Sequence, residues 1–172
     1  MTKSANEFSI GDHVVYPAHG VGTVKGVETQ EVAGLALDLY IITFDHEKMT
    51  LRVPTKKAMT AGLRGLADGA VVTQAMTTLK GRARVKRTMW SRRAQEYEAK
   101  INSGDLISIA EVVRDLHRAD NQPEQSYSER QLYESALDRM AREVAAIEKI
   151  DRDAAVGLLT KSLLKTEAKA AA

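Results

Sequence analysis

The chain of 172 residues contains no cysteine, and this absence removes three kinds of chemistry at once. Without thiols the protein can form no disulfide, no thiolate metal site and no cysteine nucleophile. The four histidines show no metal-ligand spacing, and the sequence has no Walker loop, no G-x-S-x-G turn and no paired-carboxylate pattern. We therefore expect no metal, no cofactor and no enzymatic activity.

Long apolar runs are also missing. No window approaches the roughly 18 consecutive apolar residues of a membrane span, and the first residues lack the apolar segment of a signal peptide. The apolar fraction of 44% and the charged fraction of 28% are typical of a soluble protein with one or two small domains. These features predict a cytoplasmic protein with no membrane partner.

Proline is scarce, and its distribution divides the chain. Up to Pro54, short apolar or alternating runs are separated by turns that contain glycine, which is the pattern of β-strands. The predicted strands are Asp12–Tyr16, Val21–Val32, Leu35–Phe44 and Met49–Pro54. Gly22 and Gly26 lie inside the second strand, where glycine indicates a bulge or a tight bend. Residues 1–56 are therefore predicted to form a small, strongly bent sheet or SH3-like barrel.

The rest of the chain has helical periodicity. Residues 57–66 are predicted to be a linker, because Ala61-Gly-Leu-Arg-Gly65 is typical of a hinge. Five helices are predicted within 67–166: Asp68–Leu79, about Val85 to Asn102, and three that begin near Ser108, near Ser126 or Ser128, and after Asp151. The last is expected to bury Ala155, Leu158, Leu159 and Leu163. Residues 167–172 are expected to fray. The predicted fold class is α+β with two domains.

Negative charge is absent from Gly69 to Gln95, and positive charge is concentrated there. The basic segment, Lys80–Arg93, holds seven of the chain's 25 lysines and arginines. They are Lys80, Arg82, Arg84, Lys86, Arg87, Arg92 and Arg93. The only tryptophan, Trp90, lies near the end of this segment. Cations around a flat aromatic ring suit a protein that holds a phosphate backbone and presses a ring against bases.

Two alternatives to nucleic-acid binding stay open for this segment. Charge runs are often solvated helix faces that bind nothing. Trp90 also begins an apolar helix stripe that continues with Ala94, Tyr97 and Ile101, so its spacing fits a core residue. In a continuous helix, however, Lys86 and Arg87 would lie one turn before the ring, and burying them with it would desolvate their charges. We therefore predict that Trp90 is half exposed, at the basic end of the stripe.

Two sets of motifs together resemble the CarD/CdnL family of bacterial transcription regulators. The first is Val14-Val-Tyr-Pro-Ala-His-Gly-Val-Gly22 with Arg52-Val-Pro54, which is also similar to the polymerase-binding module of transcription-repair coupling factors. The second is Trp90-Ser-Arg-Arg93 followed by Gly104-Asp105 and Ala110-Glu-Val-Val-Arg-Asp-Leu-His117, which resembles the family's helical domain. The resemblance covers nearly the whole chain in the expected order.

The resemblance implies a Tudor-like barrel that binds the RNA polymerase β subunit through its sheet edge. It also implies a helical domain that wedges a tryptophan into the minor groove at the upstream edge of the melted promoter and stabilises the open complex. Carried onto this sequence, the DNA-binding residues are Trp90 and the seven cations named above. The polymerase-binding residues are Gln30, Val32, Leu51 and Arg52. The protein would act as a monomer, associated with the nucleoid through polymerase.

Two positions depart from the family's pattern. Gln30 stands where relatives often have an arginine, and Gln95 stands where many have a basic residue near the DNA. Both differences would weaken charge contacts. Two other functions are also compatible with the residues: a free-standing nucleic-acid-binding protein whose barrel also touches nucleic acid, and a protein-interaction adaptor whose basic face is only solvated.

Overall fold

The structure of the protein is a computed structural model, which describes residues 8–118 and 122–170, with the side chains of the last helix described to residue 164. Two compact units divide between Leu66 and Ala67. Within the described residues, the first unit holds five strands and the second holds five helices. The predicted α+β class, a small antiparallel sheet followed by a helical domain, is confirmed.

The strands of the first unit form one antiparallel sheet. They are β1 His13–Tyr16, β2 Gly20–Val32, β3 Leu35–Phe44, β4 Met49–Pro54 and β5 Arg64–Gly65, in the order β4-β3-β2-β1-β5. β1 pairs with β2 only from Gly20 to Thr23, whereas β3 pairs with β2 from Thr23 to Val32. The β2–β3 hairpin therefore extends well beyond β1.

The glycines of β2 allow the sheet to bend around its core. The register with β3 shifts between Val24 and Gly26, which is the bulge that the glycine spacing predicts. At Gly22 a Cβ atom would lie 2.7 Å from Cγ2 of Ile42 and 2.8 Å from Cε1 of Phe44. The sheet can thus fold closely over its buried residues, which are Val14, Val24, Tyr40, Ile42, Phe44, Val53, Ala58 and Leu63.

The linker prediction for 57–66 is wrong for most of these residues, because they belong to the first unit. Ala58 and Leu63 are buried in its core. Arg64–Gly65 forms β5, with Gly65 opposite Val14 of β1. A short 3₁₀ helix, Thr55–Lys57, leads from β4 into this region. A strand of two residues forms only through pairing with a distant strand, so no local sequence pattern predicts it.

The helices of the second unit are α1 Gly69–Leu79, α2 Trp90–Asn102, α3 Leu106–Leu116, α4 Tyr127–Glu148 and α5 Arg152–Ala170. Two predicted caps are confirmed: Ser126 accepts a hydrogen bond from the backbone N–H of Glu129, and Asp151 accepts one from Ala154. None of the helices in the described ranges is both long enough and apolar enough to cross a bilayer.

Two helix starts differ from their predictions. α3 begins at Leu106 rather than Ser108, because Asp105 is the N-cap and accepts the backbone N–H of Ser108. α2 begins at Trp90 rather than near Val85, and residues 82–89 are not helical. Cations three and four positions apart repel one another in a helix, which disfavours extending α2 backwards through the basic segment.

The helices enclose a second core, which confirms most of the predicted apolar stripes. Its buried residues on α3 and α4 include Ile109, Val112, Val113, Leu116, Ala136, Met140 and Val144. On α5, Ala155, Leu159 and Leu163 are buried, but Leu158 is 44% exposed, so its predicted burial is wrong. Leu158 lies off the stripe that the other three form at four-residue spacing. The sequence predicts fraying from residue 167, but the backbone of α5 is helical to Ala170. The rest of the predicted tail, residues 171 and 172, lies outside the described range.

Candidate functional site

Trp90 is the first residue of α2, and its ring is half-buried, in agreement with the sequence prediction. One side of the ring packs against the helical core, where its centroid lies 6.4 Å from that of Tyr97. The guanidinium carbon of Arg93 lies 5.3 Å from the centre of the indole and 5.9 Å from that of Tyr97. A cation at these distances is attracted to both aromatic rings.

A hydrogen bond to another helix fixes the orientation of the indole. Nε1–H of Trp90 donates to Oγ of Ser128, at a distance of 3.0 Å. Ser128 lies in the first turn of α4, 38 residues along the chain, so no sequence pattern indicates this contact. The preceding residue, Tyr127, is 79% exposed, and Met89 beside Trp90 is 78% exposed. The residues that adjoin Trp90 and its acceptor Ser128 in sequence are therefore exposed, while the hydrogen bond holds the indole in one position.

The basic segment is exposed but not loose. The carboxylate of Asp115 on α3, which is only 6% exposed, accepts the backbone N–H of Arg84 at 2.9 Å. The same oxygen, Oδ1, accepts Nε–H of Arg114, also at 2.9 Å. A buried acid thus anchors an irregular stretch of backbone that carries many like charges. Sequence reasoning missed Asp115, because an acid in an apolar helix gives no sign of which backbone it will bind.

The predicted DNA-binding cations differ in their local partners. All except Arg93 are exposed, and Lys86 donates to Oε2 of Glu96 at 3.2 Å. Within the described part of the chain, Arg82, Arg87 and Arg92 have no acidic partner. Several guanidinium groups that are close in sequence to Trp90 are therefore available to bind phosphates.

The predicted protein-binding residues of the first unit lie on two faces of the sheet. Arg52 of β4 lies opposite Ile41, and its Nε is 3.6 Å from Oε2 of Glu28. Because residues two apart share a face, Gln30 and Val32 lie on the same face as this pair. Leu51 is on the other face and packs against the barrel core. Leu51 is therefore placed to support the core more than to contact a partner.

The face that carries Arg52 ends in an apolar tip. Val32 is 52% exposed and lies opposite Leu35, which is 68% exposed. In the described sheet, β4 pairs only with β3, so its other side is a free edge. A free edge, in a sheet that also has an exposed apolar tip, can accept an additional strand from another protein.

Comparisons with known proteins match both units. The family model "CarD-like/TRCF RID domain" matches residues 8–66, and the model "CarD, C-terminal domain" matches residues 74–160. A protein of Bacillus subtilis (strain 168), "Putative transcription factor YdeB", is 29% identical over 143 residues, which are 83% of this chain and 94% of that protein. The solution NMR structure of the N-terminal domain of Myxococcus xanthus CarD is 32% identical, with a TM-score of 0.31, over 34% of this chain and 79% of that one.

The two family models follow one another along the chain without overlap. The second alone spans half of the sequence, and it includes Trp90, Arg93 and both anchoring residues, Asp115 and Ser128. The chain therefore belongs to the CarD family of transcription regulators.

Proposed function

We propose that the protein binds the β subunit of RNA polymerase through its first unit and stabilises the open promoter complex by wedging Trp90 into the minor groove at the upstream edge of the melted DNA. The observation that carries the proposal is the half-buried indole, held by Ser128 and followed on α2 by Arg92 and Arg93. Because the ring is already fixed, little conformational entropy is lost when it enters between base steps.

The cations near the ring suit a weak, sequence-tolerant contact with DNA. About four phosphate contacts would give an affinity that falls with salt with a slope of roughly −3 to −4. The minor groove presents a degenerate pattern of base edges, so a wedge reads little sequence. The helical unit alone would therefore bind free duplex DNA weakly and without a preferred site.

The first unit supplies the contact that places this weak binder on promoters. Its free β4 edge and the exposed face with Arg52 and Val32 suit the addition of a strand from polymerase. The ion pair between Arg52 and Glu28 is exposed on both sides, so little free energy is needed to exchange Glu28 for an acid of the partner. The family model named for the RID domain supports polymerase as that partner.

The two contacts together explain how a small protein could change promoter behaviour. Binding to polymerase gives the helical unit a high effective concentration next to the DNA. Stabilising one unstacked base step contributes a few kcal/mol, and about 1.4 kcal/mol changes a rate tenfold. The lifetime of the open complex would then increase by about one to two orders of magnitude.

The test is the lifetime of promoter complexes formed by purified polymerase with saturating protein. We expect Trp90→Ala to shorten the lifetime at least about tenfold while binding to polymerase is retained. Leu158→Ala, which removes a side chain 44% exposed on α5, is the matched control and should change nothing. An unchanged lifetime with Trp90→Ala would falsify the wedge.

Two further measurements separate the other function classes. Sub-micromolar binding to duplex DNA at physiological salt without polymerase would indicate a free-standing nucleic-acid-binding protein. Full activity after the double substitution Arg92→Glu and Arg93→Glu would indicate an adaptor whose basic face is only solvated.

A further inference from the structure

The first turn of α4 lies against the indole, and the wedge proposal gives it no role of its own. Ser128 accepts the Nε1–H of Trp90, and Tyr127 is the neighbouring residue. Adjacent Cα atoms are about 3.8 Å apart, so the backbone of Tyr127 must also lie close to the indole. The backbone of Tyr127 on α4 thus lies near the ring of Trp90 on α2.

Ser128 is suited to holding the indole rather than to capping its own helix. That cap is Ser126, which accepts the backbone N–H of Glu129. Without the serine hydroxyl, the indole N–H would lose its acceptor within the described structure, and the half-buried ring would gain rotational freedom. The role of Ser128 is therefore to fix the orientation of the Trp90 ring.

Tyr127 is the most exposed tyrosine in the chain. It is 79% exposed, whereas Tyr40 and Tyr97 are buried and Tyr16 and Tyr133 are half-buried. A large apolar ring that is not needed in the core is a common feature of binding surfaces. Its exposure is not required by the fold, and a binding role accounts for it.

The surrounding charge points to nucleic acid as the partner. No acidic residue occurs from Gly69 to Gln95, and Arg87 and Arg92, which are close to Trp90 in sequence, have no acidic partner among the described residues. The acid closest in sequence to Tyr127, Glu129, is bound to Arg118 at 3.2 Å. An exposed phenol ring in a helical unit that also carries unpaired guanidinium groups can stack a base while cations hold the phosphates.

We propose that the first turn of α4 is part of the DNA-contact surface. Ser128 is a positioning residue for the indole of Trp90, and Tyr127 provides a second ring, on which an unpaired base of the melted strand stacks. This inference rests on the proposed function, since it assumes that Trp90 contacts promoter DNA. The proposed DNA-contact surface then includes residues of two helices, α2 and α4.

The role of Ser128 can be tested without polymerase, because Trp90 is the chain's only tryptophan and reports its own environment. We expect Ser128→Ala to shift the tryptophan emission to the red and to raise the acrylamide quenching constant. Ser128→Thr should restore both, since it keeps the hydroxyl. Ser91→Ala removes an exposed serine beside the indole and should change neither quantity.

Thermal unfolding of each variant shows whether the fold has been kept. If Ser128→Ala and Ser91→Ala give the same emission and quenching as the unmodified protein, then Ser128 does not position the indole. This outcome does not depend on whether the protein acts on promoters.

The role of Tyr127 is tested with the full chain, polymerase and promoter DNA. We expect Tyr127→Ala to shorten the open-complex lifetime about tenfold, because stacking on an aromatic ring contributes strongly for each base. Tyr127→Phe should keep most of the lifetime, since stacking needs the ring and not the hydroxyl. Binding to polymerase should be the same for both variants.

Trp90→Ala in the same experiment distinguishes the two proposals. A wild-type lifetime for Tyr127→Ala, together with a shortened one for Trp90→Ala, overturns the second ring and leaves the wedge standing. A wild-type lifetime for both variants overturns both. A shortened lifetime for Tyr127→Ala alone removes the wedge and also overturns the shared surface, because Tyr127 would then contact DNA without Trp90.

Discussion

Single residues of β2 show how closely the sheet of the first unit is packed. Gly22 and Gly26 lie in the same strand, but only the first faces buried side chains. Ile42 and Phe44, the residues that a Cβ at position 22 would meet, are fully buried. They cannot move away without opening the core, whereas a Cβ at position 26 would have no neighbour within 4 Å.

Gly22→Ala should therefore lower the free energy of unfolding of the first unit by about 1–3 kcal/mol, the usual cost of overpacking a core. The measurement is urea denaturation of the full chain, followed by a probe of β-structure. Gly26→Ala is the matched control and should stay within about 0.5 kcal/mol of the unmodified protein. Equal effects of the two substitutions would show that backbone freedom, and not the contact with Ile42 and Phe44, decides the cost.

At the scale of elements, α3 holds the basic segment in place. The anchor is Asp115, which binds the backbone of Arg84 and the side chain of Arg114. The Arg114 side chain is 12% exposed and that of Asp115 4%, so this is a largely desolvated ion pair. Removing one member of such a pair leaves the other charge without compensation.

We expect Asp115→Ala to destabilise the helical unit by about 3 kcal/mol and to speed trypsin cleavage within residues 82–87. Asp153→Ala, which removes an acid whose side chain is 92% exposed, should change neither the unfolding free energy nor the cleavage rate. Cleavage at the same rate in both variants would show that the basic segment keeps its conformation without Asp115.

The carboxylate of Asp138 on α4 binds Arg152, the first residue of α5. Burial by itself would raise the pKa of Asp138, but hydrogen bonds from Arg142 and Arg152, together with their positive charges, bring the pKa below its ordinary value of 3.8. The distances are 2.8 Å from Nε of Arg142 and 2.5 Å from Nε of Arg152. Because the pKa is lower in the folded state, the stabilisation is present above the unfolded pKa and is lost as the pH falls through the folded value.

Asp138→Asn should therefore reduce the free energy of unfolding by up to about 1 kcal/mol at neutral pH, since the pair is partly exposed to solvent. The difference from the unmodified protein should shrink as the pH falls below about 4 and vanish once Asp138 is protonated in both states. Chemical denaturation at several pH values measures this. A difference that stays constant down to strong acid would contradict the ionic explanation.

At the scale of the whole molecule, the two units are joined by a short connection. Gly65 is still paired with β1, and the backbone N–H of Ala67 already donates to Oε2 of Glu143, a buried residue of α4, at 3.2 Å. Leu66 alone lies between these two attachments.

The two units have different proposed roles, so substitutions in each should respond differently to protein concentration. Arg52→Glu should weaken binding to polymerase, and a higher protein concentration should restore the open-complex lifetime, because the wedge is intact. Trp90→Ala should give a short lifetime at every concentration. Lys161→Glu, an exposed charge reversal on α5, is the control. A defect of Arg52→Glu that persists at saturation would place Arg52 in the stabilising step itself.

Much of this architecture could be predicted from the sequence, because local patterns carry it. The bounds of β3 and the bulge in β2 follow from apolar runs and glycine spacing, and the cap at Asp151 follows from side-chain chemistry. The misses involve partners distant along the chain. β5 exists through its pairing with β1, and the late start of α2 is accompanied by the bond from Arg84 to Asp115.

The sequence by itself determined the two-unit division, the concentration of positive charge around one tryptophan and the family to which the chain belongs. Only the tertiary structure decided that Ser128 holds the indole, that Asp115 anchors the basic segment and that Arg64–Gly65 pairs with β1. The physical reason is the separation along the chain of the residues that interact. Helix and strand patterns arise between residues a few positions apart, whereas a buried acceptor is matched to its donor only when the packed chain brings the two together.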